Sequence, residues 1–192
     1  MAGNIGLKAG SGGTVTVTAA DTASNFTLTL PAVTANVLTN KTAGTVLQVV
    51  STNKTDVYSF ASSTYTAVTG MSVSITPSSS SNKILILLNS YWAESGLDCT
   101  CVRLKRNSTV IFVGDAAGSR PQATGASDYT ANNLNYIGST YLDSPGTTSA
   151  ITYSIDASVA TGTSYLNRTS ADADNIYHPR TASSITVMEI AA

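Results

Sequence analysis

The feature that most constrains the fold is a strict alternation of Thr or Ser with aliphatic residues, which recurs along the chain. It is found at residues 14–18, 27–30, 71–76 and 184–190. Period-two alternation places every apolar side chain on one face of a β-strand and every hydroxyl on the other. Thr and Val are also restricted about χ1 and pack well on a pleated surface. The chain is therefore predicted to consist almost wholly of half-buried strands.

Short strands separated by turn residues are predicted from residue 45 to the end of the chain. Residues 84–88 are apolar on both faces, which is typical of a central strand. Gly70 predicts a bulge, and residues 106–108 predict a hairpin turn. Regular short strands without a helical pattern indicate an all-β fold, a β-sandwich or jelly roll. The predicted strands are 46–50, 57–60, 65–76, 83–91, 100–105, 109–113, 133–142, 150–159, 163–166 and 184–190.

Two regions with different organisation are predicted. Residues 1–44 form a short, extended, β-rich N-terminal arm, and residues 45–192 form the jelly-roll domain. The arm begins with a glycine-rich stretch and contains only two short strands, 14–19 and 26–30. Because two strands alone are marginally stable in water, we expect the arm to be ordered by other subunits or by a docking partner.

The composition excludes several classes of function. Charged residues make up 11% of the chain and the net charge is −1, so there is no field to attract nucleic acid or an anionic membrane. The sequence contains neither an apolar run long enough to span a membrane nor a secretion signal, which predicts synthesis in a cytoplasm without membrane insertion. A surface so poor in charge is expected to be partly buried between subunits.

The sequence does not predict an enzyme. His178 is the single histidine, and no nucleophile motif accompanies it. Cys99 and Cys101 lie two apart in a predicted strand, roughly 7 Å from one another, so they are expected to be unpaired and buried. Residues 172–175 resemble the opening of a calcium loop but lack the glycine and the distal glutamate of an EF-hand. We therefore expect no catalytic residue, no cofactor and no metal.

Two long polar loops, residues 114–131 and 170–181, are predicted to carry the binding residues. Tyrosine combined with Asn and Ser makes an adaptable binding surface, and recognition residues are often placed on loops. The same tyrosines are also suited to subunit interfaces. The candidate receptor-binding residues are Arg120, Tyr129, Asn132, Tyr177, His178 and Arg180.

Four stretches of the chain carry a resemblance. Residues 44–50, 68–86 and 114–120 resemble tail-fibre-like proteins of bacteriophages, many of them from aquatic hosts, and residues 13–32 resemble a segment of phage fibre and collar proteins. The resemblance implies a virion protein made in the cytoplasm of the host bacterium. It also implies a homotrimer whose jelly-roll domains pack around a threefold axis, an arrangement that would strengthen a weak receptor contact.

The leading hypothesis is a short trimeric tail fibre or knob. Its arm, residues 1–44, would attach it to other virion proteins, and its loops would bind a glycan or a protein of the host surface. The short chain leaves no room for an extended shaft, which favours an alternative, a capsid decoration protein that clamps shell subunits. A third hypothesis is a tail or baseplate adaptor without receptor contact. All three are structural roles on a phage particle.

Overall fold

The computed structural model describes residues 43–127 and 133–192. Most of the predicted arm, together with Tyr129 and Asn132, therefore lies outside the described residues. Within them the chain is all β, with eleven strands. They are β1 (Val46–Lys54), β2 (Tyr58–Phe60), β3 (Thr66–Ile75), β4 (Lys83–Glu94), β5 (Thr100–Arg106), β6 (Thr109–Ile111), β7 (Gly125–Ala126), β8 (Asn135–Asp143), β9 (Ile151–Val159), β10 (Ser164–Leu166) and β11 (Ser183–Ile190).

The strands form two antiparallel sheets. In the first sheet β1 pairs with β11 and β11 with β4, while β8 pairs with the opposite edge of β4. The short strands β10 and β2 extend this sheet beside the end of β4. The second sheet has the order β3-β9-β5, and β6 and β7 pair with the remaining edge of β5. This is the double-sheet arrangement of a jelly roll, so the predicted all-β fold class is confirmed.

The ten strands predicted from residue 45 onward are all present, with shifts at their ends, and the predicted strands 14–19 and 26–30 lie outside the described residues. β4 continues to Glu94 because its last residues pair with β10. The predicted loop at 114–131 contains the additional strand β7, whose two small residues carry no alternating pattern and which forms by pairing with β5. Gly70 has φ 84° and the register of β3 against β9 shifts between Ala67 and Ser72, which confirms the bulge.

The turn at residues 106–108 joins β5 to β6 as predicted, with Asn107 at φ 53°. The two cysteines are unpaired, also as predicted. Cys101 is buried in β5, and burial raises the pKa of its thiol to about 11, which makes it unreactive. The expectation that Cys99 is a buried strand residue is wrong: it precedes β5 and is partly exposed, because the strand begins one residue later.

The hydrophobic core lies between the two sheets and is centred on β4. The inward side chains of β4 are fully buried and pack against β3, β5 and β9, and the indole N–H of Trp92 donates to Ser90 Oγ (2.9 Å). A buried Trp with its N–H satisfied contributes a large apolar area without an orphan donor. The largest fully buried apolar side chains are Trp92, Tyr153, Met71, Ile84, Ile86, Leu88, Leu104, Ile151, Ile155, Leu166 and Ile185.

Candidate functional site

Residues 167–182 join β10 to β11 and form a loop with a closed neck, which we call the 167–182 loop. β10 and β11 pair with the same edge of β4, so the chain leaves the sheet and returns to it at neighbouring positions. Thr181 N–H donates to Asn167 O (3.1 Å), and Arg168 and Arg180 form an isolated β-bridge across the neck. A compact surface loop with adjoining ends is an Ω-loop, a class that is frequently functional.

Asn167 organises the neck of the loop from a fully buried position. Its backbone N–H donates to Tyr91 O (2.9 Å). Its Nδ2 donates to the carbonyls of Lys54 (2.8 Å) and Asp56 (3.0 Å), and its Oδ1 accepts from Ser183 Oγ (2.6 Å). The residue has φ 65°, in the left-handed region that Asn tolerates better than most side chains. One side chain therefore ties the loop to β1 and β11.

Asp172 connects the two sides of the loop. One of its carboxylate oxygens accepts from Arg168 (2.7 Å) and from Arg180 (2.6 Å). The guanidinium of Arg168 also lies over the ring of Tyr165, 4.1 Å from its centroid. The hydrogen bond from Arg168, together with the charge of Arg180, lowers the pKa of Asp172. In the segment that resembles a calcium loop, Asp172 therefore forms two ion pairs. No three His, Cys, Asp or Glu side chains lie close enough together to hold a metal ion within the described residues.

The tip of the loop exposes two large side chains, Ile176 (89% exposed) and Tyr177 (79% exposed). The backbone around them is held by Asn175, whose Oδ1 accepts from Tyr177 N–H (2.9 Å) and whose carbonyl accepts from His178 N–H (3.2 Å). His178 Nδ1 lies 2.8 Å from Oγ1 of the buried Thr169, a hydrogen bond. These polar groups shape the loop, and Ile176 and Tyr177 are its large exposed apolar side chains, beside exposed polar residues such as Asp174 and Arg180.

The structure brings together three of the six predicted binding residues in this loop: Tyr177, His178 and Arg180. Arg120 is exposed on the other predicted loop, in a turn where its N–H donates to Ala117 O (3.3 Å). No hydrogen bond or ion pair connects Arg120 to the 167–182 loop in the described part of the chain. The predictions for Tyr129 and Asn132 concern residues outside the described ranges.

Sequence reasoning missed the structural roles of three residues that define the loop, namely Asn167, Asp172 and Ile176, since Asp172 was considered only as part of a calcium-loop resemblance. Opposite charges at Asp172 and Arg180 were a signal for the ion pair, although spacing alone does not show that they meet. Ile176 is an apolar residue within a polar stretch, so no strand face was available to bury it. No local signal marks Asn167, because its partners come from the other end of the domain.

Glu94 is a second group with unusual chemistry, and it lies in the packed interior at the end of β4. Its Oε1 accepts from Thr100 Oγ1 (2.6 Å) and from Ser127 Oγ (2.5 Å). Its Oε2 is buried and has no hydrogen-bond partner among the described residues. Burial raises the pKa of this carboxyl above its ordinary value. Because the group belongs to the packing between the sheets, we assign it a structural role.

Glu94→Gln is expected to raise the free energy of unfolding by about 1 kcal/mol near pH 8, and by less near pH 4. A folded-state pKa above the unfolded value means that the stabilising protonated form is present at acid pH and is lost as the pH rises. The side-chain amide of the Glu94→Gln variant does not ionise, so this variant does not lose stability as the pH rises. Urea unfolding at both pH values measures the change. An equal change of stability at both pH values would show that ionisation of the Glu94 carboxyl does not cause the effect.

No protein-family model matches the chain, and a search of curated proteins found no match. No helix in residues 43–127 and 133–192 is long and apolar enough to cross a membrane.

Proposed function

We propose that this protein is a structural component of a bacteriophage particle, a short homotrimeric tail fibre that attaches the virion to its host. The observation that carries the proposal is the 167–182 loop, which is braced by Asn167 and Asp172 and exposes Ile176 and Tyr177. A rigid loop loses little conformational entropy on binding. Large side chains that are already exposed in a fixed conformation are suited to act as anchors in a partner's pocket.

The proposal assigns separate roles to the two predicted regions. Residues 1–44 attach the protein to other virion proteins, and residues 45–192 form the head that contacts a host surface glycan or protein. The resemblance of four stretches to phage fibre proteins supports the virion assignment. Jelly rolls occur in both capsid and lectin domains, so the fold suits attachment and decoration alike. Three linked copies of one loop would convert a weak contact into avid binding.

Gold-labelled antibody on intact phage particles tests the location of the protein. Label at the tail is the expected result. Label spread over the head would overturn the attachment role and make the chain a capsid decoration protein, the principal alternative. If the label lies at the tail but substitution of Ile176 and Tyr177 leaves host adsorption unchanged, the protein is a tail adaptor without receptor contact.

The double substitution Ile176→Ser and Tyr177→Ser is expected to weaken binding of the purified protein to host cells by at least about tenfold, because two exposed anchors are lost. The measurement is competition with phage adsorption, in which the unmodified protein blocks attachment. Leu97→Ser is the matched control, since Leu97 is also an exposed aliphatic side chain (64%) but lies between β4 and β5. Equal competition by all three proteins would contradict the role of the loop.

A further inference from the structure

The outer faces of the two sheets differ sharply in chemistry. On the second sheet, the outward positions of β3, β9 and β5 carry small hydroxyl side chains and ion-paired groups. Ser74 and Thr152 share a hydrogen bond (2.8 Å), and Asp156 accepts two hydrogen bonds from Arg103 (3.0 and 2.7 Å). Part of this face is covered within the chain, since Asp156, Ser158 and Cys101 are buried and the guanidinium of Arg103 lies over the ring of Tyr65. The outward residues are Ser72, Ser74, Thr152, Ser154, Asp156, Ser158, Cys101, Arg103 and Lys105.

The outer face of the first sheet is aliphatic over half of its length. The register places Val49, Met188, Leu85 and Leu142 side by side, one from each of the four long strands. Three of the aliphatic side chains on this face, those of Val46, Val49 and Leu142, are 45% to 55% exposed. We call this surface the aliphatic face: Val46, Val49, Met188, Ile190, Leu85, Leu87 and Leu142.

The charge on the aliphatic face is minimal. Lys83, which pairs with Ile190 at one end, is the only charged residue among the outward positions of β1, β11, β4 and β8. Beyond the aliphatic rows the face continues with neutral polar groups, among them Ser51 and Thr186, whose hydroxyls share a hydrogen bond (2.8 Å). Nearly neutral surfaces of one kind meet without repulsion, whereas a charged partner would gain nothing from this face.

The shape of the surface beside the aliphatic face also suits contact with another chain. A shallow groove of about 430 Å³ opens between β4 and β8, where Gly138 has no side chain, and its lining includes Leu87, Asn89 and Thr140. The ring of Tyr136 lies across Gly138, and its hydroxyl donates to Asn89 Oδ1 (2.6 Å). The ring of Tyr136 therefore occupies the space above Gly138 and forms one wall of the groove.

We propose that the aliphatic face is the surface through which copies of this chain associate. Four strands about 4.8 Å apart and about eight residues long give the outer side of the first sheet an area on the order of 500 Å², of which the aliphatic face is about half. The largest apolar patch of a typical monomer is about 300 to 600 Å², and a stable interface needs about 800 Å² per partner. The aliphatic face and the neutral polar rows beside it together supply most of that area, and the flanking edges of β1 and β8 supply the rest.

The inference deepens the proposed function, because it assigns a surface to the assembly that the trimer requires. Three copies that turn this face toward a shared axis cover one another's apolar side chains, and each copy contacts both neighbours. The hydroxyl-rich second sheet is then left on the outside of the assembly.

The test compares the assembly of three full-length proteins by size-exclusion chromatography with light scattering. Val49→Glu with Leu142→Glu places two carboxylates on the aliphatic face, at positions where the side chains are about half exposed. Ala67→Glu with Ser72→Glu makes the same change of charge on the second sheet, at exposed positions of β3. We expect the first pair to reduce the particle mass about threefold, to that of one chain, and the second pair to leave it unchanged. Circular dichroism checks that each protein is folded.

The outcomes separate the two proposals. A first-pair variant that keeps the assembled mass would overturn the assignment of the face and leave the trimer standing. A wild-type protein that is monomeric at tens of micromolar would overturn both. A wild-type dimer that the first pair dissociates would support the face but overturn the trimer, since identical faces packed on each other make a twofold interface. If the glutamate pair does not fold, Val49→Thr with Leu142→Thr is expected to weaken assembly without disturbing the strands.

Discussion

Glu189→Ala is expected to lower the free energy of unfolding by about 3 kcal/mol at neutral pH, because it removes a buried anion that accepts several hydrogen bonds. Oε1 accepts from Ser78 N–H (2.7 Å), Ser78 Oγ (2.8 Å) and Asn82 Nδ2 (2.6 Å), and Oε2 accepts from Gln48 Nε2 (2.6 Å). The carboxylate thereby joins β11 to β1 and to the turn between β3 and β4. Without it the buried amide of Asn82 and the partly buried donors of Ser78 and Gln48 lose this acceptor.

The same carboxylate predicts a loss of stability in acid. Burial alone would raise the pKa of Glu189, but the hydrogen bonds from Asn82, Gln48 and Ser78 outweigh it and lower the pKa from 4.5 to about 2. A depressed folded-state pKa stabilises the protein above the unfolded value, and the contribution is lost as the pH falls from 4.5 toward 2. Each pKa unit corresponds to about 1.4 kcal/mol, so the total is about 3 kcal/mol.

Denaturant unfolding between neutral and acid pH measures both effects. Glu189→Gln is the matched control. It keeps the shape of the side chain and an oxygen that accepts from Asn82, but it removes the charge and places an amide N–H₂ group opposite the donor of Gln48. We expect a loss of about 1 to 2 kcal/mol for this variant, without the pH-dependent part. If the unmodified protein and Glu189→Gln lost stability in parallel between pH 4.5 and 2, the carboxylate would not be the group responsible.

Asn167→Ala is expected to lower the free energy of unfolding by about 3 kcal/mol and to loosen the 167–182 loop. The change removes the hydrogen bonds to the Lys54 and Asp56 carbonyls and to Ser183 Oγ, and it places an alanine at φ 65°. Denaturant unfolding gives the global effect. Limited proteolysis, followed by mass spectrometry, shows whether cleavage concentrates within the loop.

Asn167→Gly separates the two contributions to this loss. Glycine adopts a positive φ without strain, so only the side-chain hydrogen bonds are lost, and we expect about 2 kcal/mol. Host binding should weaken in both variants, because the anchors Ile176 and Tyr177 are no longer held in place. A loop that stays protected from protease in Asn167→Ala would show that the ion pairs of Asp172 suffice to hold it.

The strands were predictable because their signal is local. Alternation of hydroxyl and aliphatic residues, a doubly apolar run at 84–88 and a single glycine at 70 are read within a few neighbours, and β4, the bulge and the hairpin were all found. β7 escaped prediction because its two residues become a strand only by pairing with β5. Part of the candidate site was also predicted, since Tyr177, His178 and Arg180 stand in a polar stretch between two clear strands.

The two buried glutamates show what cannot be predicted from the local sequence. Glu189 occupies an apolar position in an alternating strand, so its burial could be expected, but its partners Asn82 and Gln48 lie 107 and 141 residues away. Glu94 follows the apolar residues of β4 in the same manner, yet it has an oxygen without a partner in the described chain. One pKa is lowered and the other raised. Sequence spacing does not distinguish the two environments.

The sequence by itself determined that the chain folds as strands and which residues share a side of each strand, since alternation acts between neighbours. Where a strand is aliphatic on both sides, only the tertiary structure decided which side faces the core. In β4 both sides are aliphatic, and only the packing of the second sheet makes Ile84 and Ile86 interior and leaves Leu85 and Leu87 on the outer surface. The aliphatic face and the neck of the 167–182 loop both arise from residues distant in sequence, because sheet register, and not chain proximity, brings them together.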